Sequence, residues 1–178
     1  MVATPGLTVI DTPVFVIDLR YKRDRHFSSN RAFLDRIAKE GRAATTIFNL
    51  LELCGILSFN LNDEQLKEMF QYFPQHYNVD VLPHSTLESP LPALNTGDLF
   101  DVISRKTSFG DALIISAVEK HIPGTASFVS WNARHFKGGL SIPAFTENSW
   151  TSSRDAKRKV RGRSNSGYLI PNSLSTSR

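Results

Sequence analysis

The sequence predicts an α/β domain in which strands and helices alternate around a mostly parallel sheet. Short apolar segments typical of strands recur between longer segments typical of helices. Acidic or amide residues directly follow several apolar segments, and in open parallel sheets ligands bind at the carboxyl ends of the strands. The 178 residues are enough for one domain with an appendage.

The first third of the chain contains two strands and two helices. An apolar strand ends at Asp11, and the PVFVIDL segment that follows fits either a longer strand or a helix. Ser28 or Ser29 is the predicted N-cap of the first certain helix, and Gly41 ends it. The elements expected here are a strand over 7–11, a helix over 28–40, a strand over 43–46 and an apolar helix over 47–57.

The remaining elements follow the same alternation. Asn62 is the predicted cap of a helix with acids in its first turn and Pro74 just beyond its end. Asn95 or Thr96 caps a later helix, and another begins at Gly110 and Asp111. The expected elements are helices over 62–73, 99–106 and 111–121, strands over 79–83 and 127–131, and a last sheet segment over 141–145, with a Pro- and Ser-rich loop over 83–95.

Composition excludes several classes of protein. The single cysteine, Cys54, allows no internal disulfide framework, which suits a reducing environment. No stretch of about 18 apolar residues is present to span a bilayer. The N-terminal segment lacks the features of a signal peptide. We therefore expect a cytoplasmic protein with no membrane partner.

Charge divides the chain near residue 150. Residues 151–178 have a net charge of +6, and the whole chain has +4, so residues 1–150 are mildly acidic at −2. The segment after residue 150 is also rich in Ser and Asn. We therefore predict a folded domain over 1–150 and a basic, disordered tail over 151–178.

Three acidic residues beside or within apolar segments give the strongest functional signal. Asp11 follows a strand, Glu52 lies inside an apolar helix, and Asp111 starts a third apolar segment. A buried carboxylate is costly unless it is paired or binds a cation. Three of them in one small domain predict a shared site for a divalent metal ion.

Each of these residues also has an alternative role. Asp11 fits an ordinary turn, and Asp18 competes with it as the first ligand. Glu52 fits a helix edge that reaches solvent, and Asp111 fits a helix N-cap. Asn132, directly after an apolar strand, fits a turn or an oxygen ligand for a hard metal. The residues expected to orient the ligands are Thr12, Asn49 and Ser130.

Four segments occur in a characteristic order. They are Asp11-Thr12-Pro13-Val14, TTIFNLLEL with Glu52, Asp111-Ala112-Leu113-Ile114, and Ser130-Trp131-Asn132 before Phe136. Over about residues 8–146 the chain resembles the PIN-domain family and, within it, the VapC-type ribonuclease toxins of toxin–antitoxin pairs. Pro13 and Trp131 depart from the family pattern, which has a polar and often a basic residue there. The resemblance implies a PIN-like three-layer α/β/α fold with a central, mostly parallel sheet.

The resemblance also implies a metal-dependent endoribonuclease that hydrolyses RNA phosphodiester bonds with Mg²⁺ or Mn²⁺. Asp11 and Asp111 are then expected to hold the metal, Glu52 to bind it directly or through water, and Asn132 to position water or a second ion. A homodimer and an antitoxin partner are implied as well, although a stand-alone RNA-processing enzyme fits the same residues.

Basic residues are candidates for contacts to RNA phosphates, because Lys and Arg give affinity without sequence choice. Solvated charge is the alternative for all of them. Two other functions stay open: a catalytically weak PIN module that binds RNA or a protein partner, and a structural α/β domain whose acids are unrelated caps. The candidates are Arg158, Lys159, Arg161 and Arg163 in the tail, and Arg20, Lys22, Arg23 and Arg25 after the first strand.

Overall fold

A five-stranded sheet forms the centre of the computed structural model, which describes residues 6–136, 139–146 and 149–155. Every described strand is parallel to its neighbours, in the order β3-β2-β1-β4-β5. The predicted α/β class with a mostly parallel sheet is therefore confirmed. The strands are β1 (Leu7–Ile10), β2 (Ala43–Thr46), β3 (Asp80–Leu82), β4 (Thr125–Val129) and β5 (Ala144–Phe145).

Helices cover both faces of the sheet, which gives the three-layer α/β/α fold. Val9 and Phe128 belong to the apolar core on one face, and their neighbours Ile10 and Val129 belong to the core on the other face. This follows from the alternation of side chains along a strand. The helices are α1 (Thr12–Arg20), α2 (Phe27–Glu40), α3 (Ile47–Leu57), α4 (Asp63–Tyr77), α5 (Thr96–Ser104), α6 (Phe109–His121), α7 (Ala133–Phe136) and α8 (149–155).

The strand order reverses next to β1. The chain runs outward from β1 through β2 to β3 and then returns to β4 on the other side of β1. In open α/β sheets the crevice at such a reversal, outside the carboxyl ends of the strands, is where ligands bind. Asp11 follows β1 and Ser130 follows β4, so both lie at this crevice.

The segment after β1 is a helix rather than a longer strand. Asp11 caps α1, because its carboxylate accepts a hydrogen bond from the backbone N–H of Thr12. Pro13 lies in the first turn, where a missing N–H costs no helical hydrogen bond. Val14 and Phe15 are buried, so the apolar run fills the core as a helix. The unusual Pro13 is thus compatible with the helix start.

The end of α4 differs from the prediction. The helix continues past Pro74 to Tyr77, although proline was expected beyond the helix end. Phe73 and Tyr77 are both buried, and each packs within 5 Å of the ring of Phe15. This burial offsets the hydrogen bond that proline removes. Asn78, with φ of 52°, then ends the helix in the left-handed conformation.

The start of α2 also differs. The helix begins at Phe27 rather than at a serine cap, and its N-cap residue, His26, makes no side-chain capping bond. The Ser29 hydroxyl instead donates to the carbonyl of His26 at 3.0 Å. The predicted C-terminus is correct, since Gly41 adopts a φ of 64°.

The α8 helix is fixed against α2. Trp150 is 2% exposed, packs edge-on against Phe33, and donates from Nε1 to Ser127 Oγ at 3.1 Å. The Arg154 guanidinium lies 4.8 Å from the centre of the Trp150 ring and pairs with Glu40 at 2.5 Å. Packed structure therefore continues beyond residue 150.

A second ion pair joins α8 to α2, between Arg36 and Asp155 at 3.0 Å. The last residue that the structure describes is Asp155. The tail residues predicted to bind RNA, Arg158, Lys159, Arg161 and Arg163, lie outside the described residues. Within the described ranges, no helix is long and apolar enough to cross a membrane.

Candidate active site

Asp11 is the centre of the candidate site. Its side chain is buried, with 3% exposure. Oδ1 accepts hydrogen bonds from Thr12 N and Asn49 Nδ2, both at 2.9 Å, and Oδ2 accepts one from Ser130 Oγ at 2.5 Å. A carboxylate offers about four acceptor positions, so these three bonds fix its orientation and leave room for a further ligand on Oδ2.

Asn49 connects Asp11 to helix α3. Its amide nitrogen donates to Asp11 and, at 3.0 Å, to Thr12 Oγ1. Its amide oxygen accepts from Thr46 Oγ1 at 2.6 Å and from Thr46 N at 3.2 Å. Thr46 also caps α3, because its hydroxyl accepts from Asn49 N. Thr46, the N-cap of α3, therefore orients the Asn49 amide, and this amide in turn holds Asp11, the N-cap of α1.

Sequence reasoning did not assign Thr46 to the site. The available signal was a Thr followed by an amide residue three positions later, which is close to the capping-box pattern. That pattern predicts the helix start, but not the bonds from Asn49 to Asp11 and Thr12.

Glu52 lies less than one turn after Asn49 on α3. Its side chain is exposed, although its sequence neighbours suggested burial, because successive helical residues point in different directions and Leu50 and Leu53 take the buried face. The carboxylate is nevertheless held: Oε2 accepts a 2.6 Å hydrogen bond from Thr12 Oγ1. The Thr12 hydroxyl therefore links Glu52 to the Asn49 amide, which also bonds to Asp11.

Asp111 is not the N-cap of α6. Ser108 takes that role and accepts from Asp111 N at 3.2 Å, so Asp111 is the third residue of the helix. Its carboxylate makes no hydrogen bond or ion pair within the described part of the chain. It is half-buried, in a first turn where the helix dipole favours an anion. Asp111 is therefore available as a ligand.

Asn132 lies at the same edge of the sheet but is exposed. Its backbone N–H donates to Ser130 Oγ at 2.9 Å, and the Ser130 hydroxyl donates in turn to Asp11. The Asn132 side chain makes no hydrogen bond with another described residue. Its amide is thus free to contact water or a ligand.

The pKa of Asp11 depends on its burial and on the charges of the other two acids. The pKa of Asp11 is raised from 3.8 to about 7, mainly because burial disfavours the charged form. The negative charges of Glu52 and Asp111 raise it further, whereas the bonds from Ser130 and Thr12 lower it. A cation at this position would favour the ionised form and relieve the repulsion.

The donor set fits a hard divalent cation, because carboxylate oxygens are the ligands that Mg²⁺ prefers. Among the described residues, no group of three or more His, Cys, Asp or Glu side chains is arranged to hold a metal ion. Mg²⁺ commonly uses one or two protein carboxylates and completes its shell with water and substrate phosphate. Asp11 and Asp111 suit that mode of binding.

Asp18, the competing acid, has a different role. It is buried in α1, where Oδ2 accepts from Tyr77 Oη at 2.9 Å and pairs with Arg31 at 3.2 Å. These partners join α1 to α4 and α2. Asp18 is therefore a structural acid, and Asp11 is the acid at the crevice.

The basic group after the first strand is solvent-exposed. Arg20 donates from Nη1 to the carbonyl of Ile56 at 2.9 Å, and Arg25 donates from Nε to His26 Nε2 at 2.8 Å. No described carboxylate forms an ion pair with a member of the group. The members are Arg20, Lys22, Arg23 and Arg25.

A cavity of about 610 Å³ lies elsewhere, between α5, α6 and the loop at residues 139–141. Its lining includes Val102, Ile115 and Ser116, and it contains none of the predicted site residues. Its size therefore does not bear on the chemistry at Asp11.

Comparison with known proteins identifies the fold. At the level of sequence, neither a protein-family model nor a curated protein matches this chain. One similar solved structure is VapBC2 from Rickettsia felis bound to a DNA fragment from their promoter, with a TM-score of 0.53, 18% identity, and coverage of 79% of this chain and 98% of the other.

A second similar structure is FitAcB from Neisseria gonorrhoeae, with a TM-score of 0.51, 13% identity, and coverage of 79% of this chain and 98% of the other. At these identities the likeness concerns the fold. It agrees with the three-layer α/β fold around a parallel sheet. The chain therefore has the PIN-domain fold that its motifs predict.

Proposed function

We propose that this protein is a metal-dependent endoribonuclease that hydrolyses RNA phosphodiester bonds with Mg²⁺ or Mn²⁺. The observation that supports this most strongly is the buried carboxylate of Asp11, held by Thr12, Asn49 and Ser130 beside the charges of Glu52 and Asp111. Asp11 caps α1 through its bond to Thr12 N, so a role as a helix cap alone does not require the further bonds from Asn49 and Ser130.

Each residue of the candidate site would have its own role in this reaction. Asp11 and Asp111 would hold the metal ion, which when bound neutralises charge and lowers the pKa of its water. Glu52, fixed by Thr12, would bind the ion directly or through water. The exposed amide of Asn132 would position a water molecule.

Several partners follow from the same proposal. The names VapBC2 and FitAcB, together with the motif resemblance to VapC-type toxins, support the toxin of a toxin–antitoxin pair and an antitoxin as its partner. A cytoplasmic homodimer is part of this proposal. Phe100 on α5 and Phe109 on α6 support the dimer, since they are 67% and 62% exposed on helices that pack together.

The basic residues would supply phosphate contacts. The domain over 1–150 has a net charge of −2, so an anionic substrate needs a cationic partner surface. The exposed group around Arg23 and Arg25 lies on the loop after α1, the helix that Asp11 caps. The basic segment from residue 156 onward would add affinity without sequence choice.

A catalytically weak PIN module that binds RNA or a protein partner is the second candidate. It is favoured by Pro13 and Trp131, which depart from the family pattern. Such a module would bind RNA with no change on adding Mg²⁺ or Mn²⁺. An active nuclease would gain thermal stability from the metal and cleave RNA.

Cleavage of single-stranded RNA with added Mn²⁺ or Mg²⁺ tests the proposal. We expect Asp11→Asn and Asp111→Asn to lower the rate by about 100-fold or more, the scale for removing a group that stabilises transition-state charge. Asp98→Asn is the matched control, because Asp98 is an exposed acid in the first turn of α5. Equal rates for Asp11→Asn and the wild type would refute the assignment.

A further inference from the structure

Trp131 occupies an unusual position beside the candidate site. It stands between Ser130, which donates to Asp11, and Asn132, whose backbone donates to Ser130. Trp131 is only half-buried and packs against the apolar core that contains α1. A partly exposed aromatic residue therefore directly follows Ser130, which holds Asp11.

A buried amide fixes the orientation of this indole. Trp131 Nε1 donates to Asn30 Oδ1 at 3.0 Å, and Asn30 is fully buried. The amide nitrogen of Asn30 donates in turn to the carbonyl of Val14 at 2.8 Å. Val14 lies in the first turn of α1, the helix that Asp11 caps. The ring is thus tied to the element that presents the catalytic carboxylate.

A second ring and a cation adjoin the indole. The His26 ring centre lies 4.2 Å from that of Trp131, with 53° between the planes. Arg25 donates from Nε to His26 Nε2, and its charge has no carboxylate partner among the residues that the structure describes. The nearby Asp24 carboxylate accepts from the backbone of His26 through Oδ1 at 2.7 Å. Lys22 and Arg23 extend the exposed positive charge.

This combination matches the chemistry of an unpaired nucleotide. Bases of single-stranded RNA stack on aromatic side chains, and adjoining cations contact the phosphates. A base inside a duplex is stacked on its neighbours, so it cannot lie on a protein ring. Plain packing explains the Trp131–Asn30 bond, but not the partial exposure of Trp131 or the charge of Arg25 without a described carboxylate partner.

We propose that Trp131 and His26 form a stacking site for one unpaired base of single-stranded RNA, and that Arg25 contacts an adjacent phosphate. The site selects an unpaired strand over a duplex and places the bound base beside Asp11. Its position relative to the scissile bond rests on the proposed function, whereas base binding can be measured without cleavage.

Intrinsic fluorescence offers a direct test, because the chain has two tryptophans and Trp150 is 2% exposed. The full-length Asp11→Asn variant is titrated with single-stranded oligo(A) and oligo(U), in the absence of metal. We expect RNA to quench the emission and to protect it from acrylamide. In the Trp131→Phe variant the remaining Trp150 emission should not respond to RNA.

Affinity measurements complete the test. In the same background, Trp131→Ala and the milder surface variant His26→Ala should each weaken binding of single-stranded RNA by about 5- to 100-fold, the range for losing one stacked base. Trp131→Phe retains a ring and should remain within about 3-fold of the Asp11→Asn parent. Arg25→Gln should lower the slope of log affinity against log salt by about 1.

Three results would overturn the stacking site: unchanged emission on adding RNA, equal affinity of His26→Ala and its parent, or equally tight binding of a duplex RNA of the same sequence. Circular dichroism of each variant separates loss of the site from loss of the fold. If the wild type binds a base at Trp131 but never cleaves RNA, the stacking site stands and the nuclease proposal fails.

Discussion

Ser130 and Asp11 lie 119 residues apart in sequence, yet Ser130 Oγ donates a 2.5 Å hydrogen bond to Asp11 Oδ2. The bond exists because β4 pairs directly with β1, with Val129 opposite Ile10. Ser130 favours the charged form of Asp11 and so opposes the effect of burial on its pKa. The Ser130 hydroxyl therefore offsets part of the effect of burial on the pKa of Asp11.

Removing that hydroxyl should change the titration of Asp11. In Ser130→Ala we expect the pKa of Asp11 to rise above the value of about 7, because a bond to the ionised form is lost. Carboxyl ¹³C shifts followed by NMR against pH report it. Ser127→Ala is the matched control, since Ser127 lies on β4, the strand that Ser130 follows, but bonds to Thr8 and Trp150. A shared shift in both variants would contradict the role of Ser130.

The metal-free protein should show a matching dependence of stability on pH. The pKa of Asp11 is 3.8 in the unfolded chain and about 7 in the folded protein. Between pH 3.8 and about 7 the folded state therefore binds more protons than the unfolded state. The contribution of Asp11 to the free energy of unfolding therefore falls as pH rises from about 4 to 7, and is constant above that range. The total change is on the order of 4 kcal/mol.

Urea unfolding of wild type and Asp11→Asn across this range measures the effect. The variant should gain stability relative to the wild type as pH rises to about 7, because its amide does not titrate. A constant difference between the two proteins would show that burial does not raise the pKa of Asp11.

Asp18 and Asp11 should separate stability from activity. Asp18→Asn removes a buried charge that binds Tyr77 and Arg31, so we expect a loss of about 1–3 kcal/mol in the free energy of unfolding. The rate of RNA cleavage should remain within about 2-fold of wild type, which corresponds to only a small change in the free energy of the transition state. Chemical denaturation and cleavage assays on the same preparation provide both numbers. A collapse of activity in folded Asp18→Asn would place this acid in the site.

Asn49 should matter for activity beyond its effect on stability. Asn49→Asp replaces the donor that faces Asp11 with an acceptor, so we expect weaker metal binding and slower cleavage. The scale for such an outer-shell change is about 10- to 100-fold. Asn62→Ala is the control, because Asn62 caps α4 away from the site and should cost about 1 kcal/mol of stability alone.

Two truncations should separate the basic tail from α8. Removal of residues 156–178 leaves Trp150, Arg154 and Asp155 in contact with α2, so the melting temperature should stay near that of the full chain. RNA affinity should fall and depend less steeply on salt. Removal of 149–178 also deletes the buried indole, at a cost of about 3–5 kcal/mol. Unchanged salt slopes after the shorter truncation would exclude the tail from RNA binding.

Local pattern was sufficient to predict much of the fold. The Gly41 and Asn62 signals mark true helix ends, and the strands after Gly41 and before Asn132 are present. The segment after Asp11 could not be assigned, since an apolar run buried as helix or strand has the same composition. The predicted helix end before Pro74 was wrong, because α4 continues to Tyr77. The burial of Tyr77 depends on residues that are distant in sequence.

The acids were predictable as candidates, whereas their partners were not. Asp11, Glu52 and Asp111 are conspicuous because charge in apolar surroundings demands an explanation. Asn30, which holds Trp131, and Thr46, which holds Asn49, act through bonds that exist only when separate elements meet. Glu52 also shows the limit of neighbour-based reasoning, because helical rotation places it in solvent.

The pairing of β4 beside β1 also has a consequence for synthesis on the ribosome. Asp11 is made before β2 and β4, and its strand gains β2 as a neighbour first, but the other side of β1 has no partner until β4 emerges. A nascent or prematurely terminated chain that lacks Ser130 therefore contains Asp11, Glu52 and Asp111 without the assembled site. Translation must pass Ser130 before the bonds around Asp11 can all form.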